Sequence, residues 1–130
     1  MITDRVGDFI VRLQNAAAAE KSVVSAPHSN HLEAIARKLK ALGFVADVSV
    51  DGDIKKTLMV TLARDERGAP KIRGVKRISK PGRRLYVSHR DAHSVKDGMG
   101  ARIVSTPRGI LSDREARKVR VGGEDLFQIW

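Results

Sequence analysis

The chain has 130 residues, a formal net charge of +10 and no cysteine. It is long enough for one ordinary domain or two small ones, and the lack of cysteine excludes disulfides, thiolate catalysis and cysteine-ligated zinc. Charged residues interrupt the first helix-like stretch, and no apolar run reaches the roughly 20 residues of a membrane span, so we expect no signal peptide, no membrane partner and a cytoplasmic location.

A helix is predicted over residues 4–18, because apolar residues recur there at a spacing of three to four. Thr3 or Asp4 can cap its first free amides. A short β-branched run over residues 22–25 follows and ends at an Ala-Pro dipeptide. We therefore expect an amphipathic helix followed by a short strand.

A second helix is expected to begin at Asn30, since Glu33 follows three residues later in the order of a capping box. Gly43 stands just past the last apolar position of this helix, where a left-handed cap favours glycine. From Phe44 the apolar period changes to two, and a turn at residues 51–53 separates two alternating runs. The pattern predicts a β-hairpin after the second helix.

Positive charge is concentrated in the second half of the chain. Residues 1–65 hold nine Lys or Arg against eight Asp or Glu, whereas residues 66–130 hold sixteen against seven. The change coincides with a polar segment, residues 64–70, which contains a glycine and a proline and is typical of a linker. We predict an α+β protein of two small two-layer α/β domains. Residues 1–66 would form a helix-strand-helix-hairpin domain, and residues 67–130 a basic, mainly β domain with a short helix.

The basic half indicates a polyanionic partner, since clustered Lys and Arg attract phosphate. The chain has only three Phe, one Tyr and one Trp. It therefore lacks the rows of stacking rings that general single-strand binders use, which favours a folded or duplex nucleic acid. A merely solvated basic surface is the alternative.

The second half predicts mostly strands. Residues 71–78 and 84–88 are expected to pair as a hairpin around a turn at residues 80–82. Residues 101–104 and 110–111 are β-like runs and are expected to form strands. The connection between these last two runs is short and rich in turn residues.

The remaining elements of this half are less regular. Residues 89–96 are helical or irregular. Ser112 and Glu115 form a capping box that opens one or two helical turns, and two glycines precede a final strand over residues 124–130.

Metal and catalytic sites find little support in the sequence. The histidines fall in two pairs, His28 with His31 and His89 with His93, but no cysteine set or metalloprotease motif completes a site. We expect no cofactor. The enzyme alternative is a metal-dependent nuclease, which would use carboxylates drawn from Asp51, Asp53, Asp91, Asp97 and Asp113.

The segment from Ser105 to Gly109 is the best candidate contact. It combines two small hydroxyls, a ring-locked proline, a cation and a glycine on a tight β connection, which suits a preorganised contact with phosphate, ribose or a base edge. An ordinary polar turn is the alternative.

Cations also flank Tyr86 across the first predicted hairpin of this half, so phosphates could be held while the ring stacks. A core tyrosine is the alternative there. The flanking cations are Arg77, Lys80, Arg83, Arg84 and Arg90.

Three segments closely resemble signatures of the S-eight family of bacterial small-subunit ribosomal proteins. They are RISKPGRRLY at residues 77–86, VSTPRGILSDREAR at 104–117 and GGE at 122–124. A looser likeness covers residues 8–16, and the order and length of elements agree over essentially the whole chain. The resemblance implies a non-enzymatic protein whose C-terminal domain binds the central domain of small-subunit ribosomal RNA during early assembly, beside neighbouring ribosomal proteins.

The resemblance also implies roles by position. Ser105, Thr106 and Gly109 would form a loop that enters an irregular RNA helix, with Tyr86 and Gly123-Glu124 nearby. A protein of this kind could also repress its own messenger RNA by binding a mimic of the ribosomal site. The predicted RNA-binding residues are Ser105, Thr106, Pro107, Arg108, Gly109, Tyr86, Arg84, Arg83, Lys80, Gly123, Glu124, Arg12 and Asn15.

Overall fold

The computed structural model describes residues 4–130, which divide into two compact units. The first unit is formed by residues 8–73 and the second by residues 4–7 together with 74–130. The domain boundary expected between residues 66 and 67 stays a prediction. No helix within the described part of the chain is long and apolar enough to cross a membrane.

The first unit is built on a three-stranded antiparallel sheet with strand order β1-β3-β2. Its elements are α1 (Arg5–Ala18) from residue 8 onward, β1 (Val23–Pro27), α2 (Asn30–Leu42), β2 (Val45–Asp51) and β3 (Thr57–Leu62). The two predicted helices, the short strand and the hairpin are confirmed. Large apolar side chains from both helices and from β3 fill its core, among them Phe9, Leu13, Ile35, Leu39, Leu58 and Val60, none of them accessible to solvent.

The helix ends show which residues cap them. A carboxylate oxygen of Asp4 accepts a 2.9 Å hydrogen bond from the backbone N–H of Gly7 at the start of α1, while Thr3 lies outside the described residues. The expected cap of α2 at Asn30 is wrong. The preceding Ser29 has extended backbone angles and its hydroxyl accepts from the Leu32 amide at 3.1 Å. Asn30 is thereby the first helical residue, where a capping geometry is no longer available.

The C-terminal cap of α2 is confirmed. Gly43 has φ +90°, a left-handed conformation that costs glycine little because it has no Cβ. The next residue, Phe44, donates its backbone N–H to the Leu39 carbonyl at 3.0 Å. The chain therefore leaves the helix directly into β2.

The second unit is a five-stranded antiparallel sheet with one short helix. Its strands are β4 (Val75–Arg77), β5 (Tyr86–Val87), β6 (Ala101–Thr106), β7 (Gly109–Ser112) and β8 (Gly123–Ile129), and its helix is α3 (Asp113–Val119). The order is β4-β8-β6-β7, with β5 also paired to β8. Between β5 and β6 the chain is irregular apart from a 3₁₀ turn over Lys96–Gly98.

The hairpin predicted between residues 71–78 and 84–88 is wrong. Lys80 and Arg83 do form the expected turn, with backbone hydrogen bonds of 3.1 and 2.9 Å between them. Both flanking strands, however, are shorter than expected and pair with β8, Arg77 opposite Phe127 and Tyr86 opposite Glu124. Alternating hydrophobicity predicts strands but not their partners. The seven residues of β8 provide one long edge for both.

The capping box at the start of α3 is confirmed. The Ser112 hydroxyl accepts from the Glu115 amide at 3.2 Å, and the Glu115 carboxylate accepts from the Ser112 amide at 3.1 Å. Two amides that the first helical turn leaves unpaired are thereby satisfied. The final strand, predicted over residues 124–130, is also confirmed as β8.

Candidate nucleic-acid interface

A row of directly opposed residues crosses the sheet of the second unit. Tyr86 on β5 lies opposite Glu124 on β8, Glu124 lies opposite Ser105 on β6, and Ser105 lies opposite Ile110 on β7. Opposed residues on adjacent antiparallel strands place their side chains on the same face of a sheet. The structure thus brings Tyr86, Glu124 and Ser105 together, although they are distant in sequence.

Tyr86 is exposed, which excludes the alternative that it is a core tyrosine. Its side chain is among the most exposed large apolar groups of the described chain, at 73% of full exposure. The ring therefore presents a free face, the arrangement that stacking on an unpaired base requires.

The connection between β6 and β7 is a two-residue hairpin tip made by Pro107 and Arg108. The mirror-image turns that usually close such hairpins need positive φ at the first tip position, which the proline ring forbids. The positive φ instead occurs at the residue after the tip, Gly109, where φ is +104°. Proline and glycine together therefore fix the shape of the tip.

The hydroxyl of Thr106 holds this tip closed. It accepts a hydrogen bond from the Arg108 amide at 3.1 Å and donates one to the Gly109 carbonyl at 2.8 Å. Its only proton is therefore committed inside the loop. By contrast, the half-buried Ser105 hydroxyl has no hydrogen-bond partner among residues 4–130 and is free to contact a ligand.

Gly123 allows the row to form, because it sits where β8 and β6 approach closely. A Cβ at this position would lie 2.0 Å from the Ser105 carbonyl oxygen. No larger residue fits without moving one strand. The close approach places Glu124, the next residue, directly beside Ser105.

The carboxylate of Glu124 is fixed by two donors to one oxygen. The Ser79 hydroxyl donates to Oε2 at 2.6 Å, and Nη1 of Arg84 donates to the same atom at 2.9 Å. Partial burial raises the pKa of Glu124, but the hydrogen bonds from Ser79 and Arg84 outweigh burial and the pKa is lowered overall. The group is therefore a fixed anion beside Tyr86 and Ser105.

Ser79 was not among the predicted site residues. It is completely buried, and its oxygen also accepts from the Leu85 amide at 3.1 Å. It thereby links the turn before β5 to Glu124. Only its position within the segment RISKPGRRLY could have drawn attention to it.

The cations around Tyr86 fall into three states. Arg84 forms an ion pair with Glu124, and its hydrogen bond to that carboxylate raises the pKa of the guanidinium. Lys80 and Arg83 are exposed at the turn, and the structure shows no ion pair for either within residues 4–130. Arg77 points inward instead. Its Nη2 lies 2.8 Å from Oδ1 of Asp4 and its Nη1 donates to the Leu126 carbonyl at 3.1 Å.

The two predicted residues of the first unit line a separate groove beside α1 and β1. Arg12, Asn15 and Lys21 contribute its polar wall. Arg12 is already engaged, since its Nε lies 2.9 Å from the Asp8 carboxylate and its Nη1 donates to the Ser25 carbonyl. Asn15 and Lys21 are exposed. The groove thus offers one free cation and one free amide.

Metal-binding groups do not converge in this structure. Within residues 4–130, no three His, Asp or Glu side chains are placed to hold an ion. His28, which the sequence paired with His31, instead contacts the Glu33 carboxylate at 2.7 Å.

The chain is similar along its length to known proteins. Residues 4–130 match the family described as Ribosomal protein S8. The chain is 45% identical over 131 residues to the small ribosomal subunit protein uS8 of Chloroflexus aurantiacus, covering 99% of this chain and 98% of that protein. It is 44% identical over 131 residues to the uS8 protein of Streptococcus mutans, covering 100% and 99%. The uS8 protein of Persephonella marina is 44% identical over 136 residues, covering all of both chains.

Proposed function

This chain belongs to the Ribosomal protein S8 family, and from that premise we propose that its second unit binds the central domain of small-subunit ribosomal RNA during early assembly. The coarser function follows from membership alone: the chain is a non-enzymatic structural constituent of the small ribosomal subunit. The nuclease alternative is thereby set aside. We place the protein in the cytoplasm, where a bacterial ribosome works.

The row of Tyr86, Glu124 and Ser105 beside the hairpin tip is the observation that carries this proposal. The row offers an exposed ring, a fixed anion and a free hydroxyl on one face of a sheet. An anion repels phosphate but accepts hydrogen bonds from base amino and imino groups or from a ribose 2′-hydroxyl. The row is therefore suited to an unstacked base or a widened minor groove, features of folded RNA.

Phosphate binding is assigned to the neighbouring cations. Lys80, Arg83 and Arg108 are exposed and have no ion-pair partner within residues 4–130. Contacts of this kind supply most of the salt-dependent affinity and little selectivity. The rigid tip and the row would then supply selectivity through their shape.

The first unit is proposed to contribute less. Arg12 is paired with Asp8, which leaves Asn15 and Lys21 as the free polar groups of the groove beside α1 and β1. We therefore expect residues 8–73 to add weak contacts that depend on the second unit for placement.

Repression of the protein's own messenger is the second RNA-binding candidate. It would use the same row and tip on an RNA that imitates the ribosomal site. Competition between the two RNAs for one surface is its signature.

The proposal can be tested with Tyr86→Phe and Tyr86→Leu. Stacking on an aromatic side chain contributes about 1 to 3 kcal/mol per base. Tyr86→Leu should therefore weaken binding of the full-length chain to a central-domain ribosomal RNA fragment by about tenfold or more, whereas Tyr86→Phe should stay near the original affinity. The measurement is a filter-binding titration with an unrelated RNA duplex as control. Equal affinities for the two RNAs, or no loss in Tyr86→Leu, would contradict the proposal.

A further inference from the structure

The three-stranded sheet of the first unit has one face that no element of that unit covers. Its inner rows are apolar and buried, as with Val24, Val60 and Val48. On the outer face three rows cross the strands, and none of their residues is buried. The outer rows are Val23, Thr61 and Asp47; Ser25, Met59 and Ser49; Pro27, Thr57 and Asp51.

This outer sheet face carries no cation, in a chain with 25 Lys and Arg. Its only charges are Asp47 and Asp51, both on the edge strand β2. Two of the cations at its border are engaged, since Nζ of Lys40 lies 3.4 Å from Asp47 and Arg12 donates to the Ser25 carbonyl, whereas Lys21 and Lys56 lie next to strand ends without an ion-pair partner within residues 4–130. The other cations of the unit lie on helices, in the turn between β2 and β3 or beyond the strand ends.

The composition of the face differs from that of the unit's solvated helical surface. The exposed side of α2 bears Glu33, Arg37 and Lys40 within eight residues. The sheet face instead has small hydroxyls around Met59, with Val23 half exposed at 51%. A solvated sheet face is ordinary in antiparallel structures, but depletion of charge around a central methionine is typical of the core of a protein interface.

We propose that the outer sheet face docks a neighbouring protein of the small ribosomal subunit, one that presents Lys or Arg to Asp47 and Asp51 and an apolar or small surface to Met59. RNA fits this face poorly, because the nine residues of the face include two carboxylates, which repel phosphate, and no cation that could bind it. The proposal rests on membership of the family and is independent of the RNA-binding role assigned to the second unit.

Site-directed crosslinking tests the proposal directly, because the chain has no cysteine and a single introduced thiol is unique. Ser49→Cys places the thiol at the middle of the face, and Ser105→Cys serves as the control on the proposed RNA surface. Each full-length variant would be labelled with a benzophenone maleimide and reconstituted into small subunits. The Ser49→Cys label should crosslink to a small-subunit protein, at a peptide that contains Lys or Arg.

The outcomes separate the two proposals. RNA crosslinks from Ser49→Cys would overturn the docking proposal, as would an unlabelled thiol that reacts with maleimide equally fast in the free protein and in the subunit. Absence of RNA crosslinks from Ser105→Cys would count only against the assigned RNA surface.

A charge substitution provides the second test. Met59→Lys keeps an unbranched side chain but places a cation at the centre of the face, opposite the apolar or small surface expected on the partner. Occupancy of the crosslinked protein in purified subunits should fall by about tenfold, as expected for an unpaired charge buried in an interface, while affinity for the ribosomal RNA fragment stays unchanged. Ala41→Lys, which adds the same charge to an exposed position of α2, should leave both unchanged. Equal occupancy for Met59→Lys and Ala41→Lys, with folding confirmed by circular dichroism, would refute the proposal.

Discussion

The hydroxyl of Thr106 donates a 2.8 Å hydrogen bond to the carbonyl oxygen of Gly109 and so closes the β6-β7 tip. The same hydroxyl accepts from the Arg108 amide. Sequence reasoning placed Thr106 against RNA, whereas the geometry gives its hydroxyl an internal task. Its contribution to binding would then come from holding the tip in one shape before RNA arrives, which lowers the entropy cost of binding.

Thr106→Val should therefore loosen the tip. The released Arg108 amide is exposed and can bond to water, so the loss of unfolding free energy should be small, about 1 kcal/mol. Affinity for the central-domain fragment should fall by about tenfold through lost preorganisation, with an unchanged slope against salt because no phosphate contact is removed. Filter binding at several salt concentrations measures both quantities.

Thr106→Ser is the matched control, since it keeps the hydroxyl and should retain the affinity. If Thr106→Val bound the cognate fragment as tightly as the original chain, a fixed tip would not be needed for recognition.

Alanine substitution of two glycines of the site should lower the free energy of unfolding for different reasons. Gly109 has φ +104° and open space where a Cβ would go, so Gly109→Ala should cost only the conformational strain of about 1 to 2 kcal/mol. In Gly123→Ala the new Cβ meets the Ser105 carbonyl at 2.0 Å, and forcing the strands apart should cost about 3 kcal/mol. Urea unfolding of both variants gives the comparison, and a smaller loss for Gly123→Ala would contradict the close approach of β6 and β8.

Local patterns in the sequence were enough to predict the elements of the first unit and the final strand. Helical spacing, a glycine cap and a change of period to two are signals within a few residues, and α1, α2, β2 and β3 follow them. The partner of β5 could not be predicted in this way. Pairing of Tyr86 with Glu124 joins residues 38 positions apart, and only the assembled sheet determines that contact.

The candidate site also combines features that local sequence predicts with features that it does not. Residues 105–109 could be predicted from their residue types and spacing, because a tight turn has a local signature. The internal use of Thr106, the inward direction of Arg77 and the role of Ser79 could not. Each depends on an atom that distant chain segments bring within hydrogen-bond distance, as Asp4 does for Arg77.

The ionised Glu124 should contribute stability that depends on pH. Its pKa in the folded protein is lowered from the ordinary 4.5, so the native state binds fewer protons than the unfolded chain as pH falls. Its stabilisation is therefore fully present above about pH 4.5 and is lost as pH falls through the folded pKa. Urea unfolding should show Glu124→Gln less stable than the original chain at pH 7 and close to it at the lowest pH measured.

The comparison with Glu124→Gln isolates this group from its neighbour. Burial raises the pKa of Asp125, so that residue shifts stability with pH in the opposite direction in both proteins. A stability difference between the two proteins that stays constant with pH would exclude the lowered pKa of Glu124.

The ion pair of Arg77 with Asp4 should stabilise the second unit. Arg77 keeps only 13% of its side chain exposed and Asp4 keeps 31%. Asp4→Asn removes the negative charge while preserving a good helix cap. Because the largely buried guanidinium of Arg77 then lacks its ion-pair partner, the free energy of unfolding should fall by about 1 to 3 kcal/mol, less than for a fully buried pair. Asp8→Asn, which removes the partner of Arg12, an arginine whose side chain is 40% exposed, should cost under about 1 kcal/mol. Equal losses in urea unfolding would contradict the difference in burial.

Arg83 and Arg84 are adjacent in sequence but should respond differently to alanine. Arg83 has no ion-pair partner within residues 4–130, so Arg83→Ala should remove one phosphate contact. Affinity for cognate and unrelated RNA should fall by similar factors, and the slope against salt should decrease by about one.

Arg84→Ala should weaken binding more, because it also leaves Glu124 without its cation. The carboxylate would keep the Ser79 hydrogen bond but would face RNA with its charge uncompensated, and repulsion should add to the lost contact. The double variant Arg84→Ala/Glu124→Gln separates the two effects, since it restores neutrality and should recover part of the affinity. If the double variant bound the central-domain fragment no better than Arg84→Ala, uncompensated charge on Glu124 would not be the cause, and Arg84 would act on RNA directly.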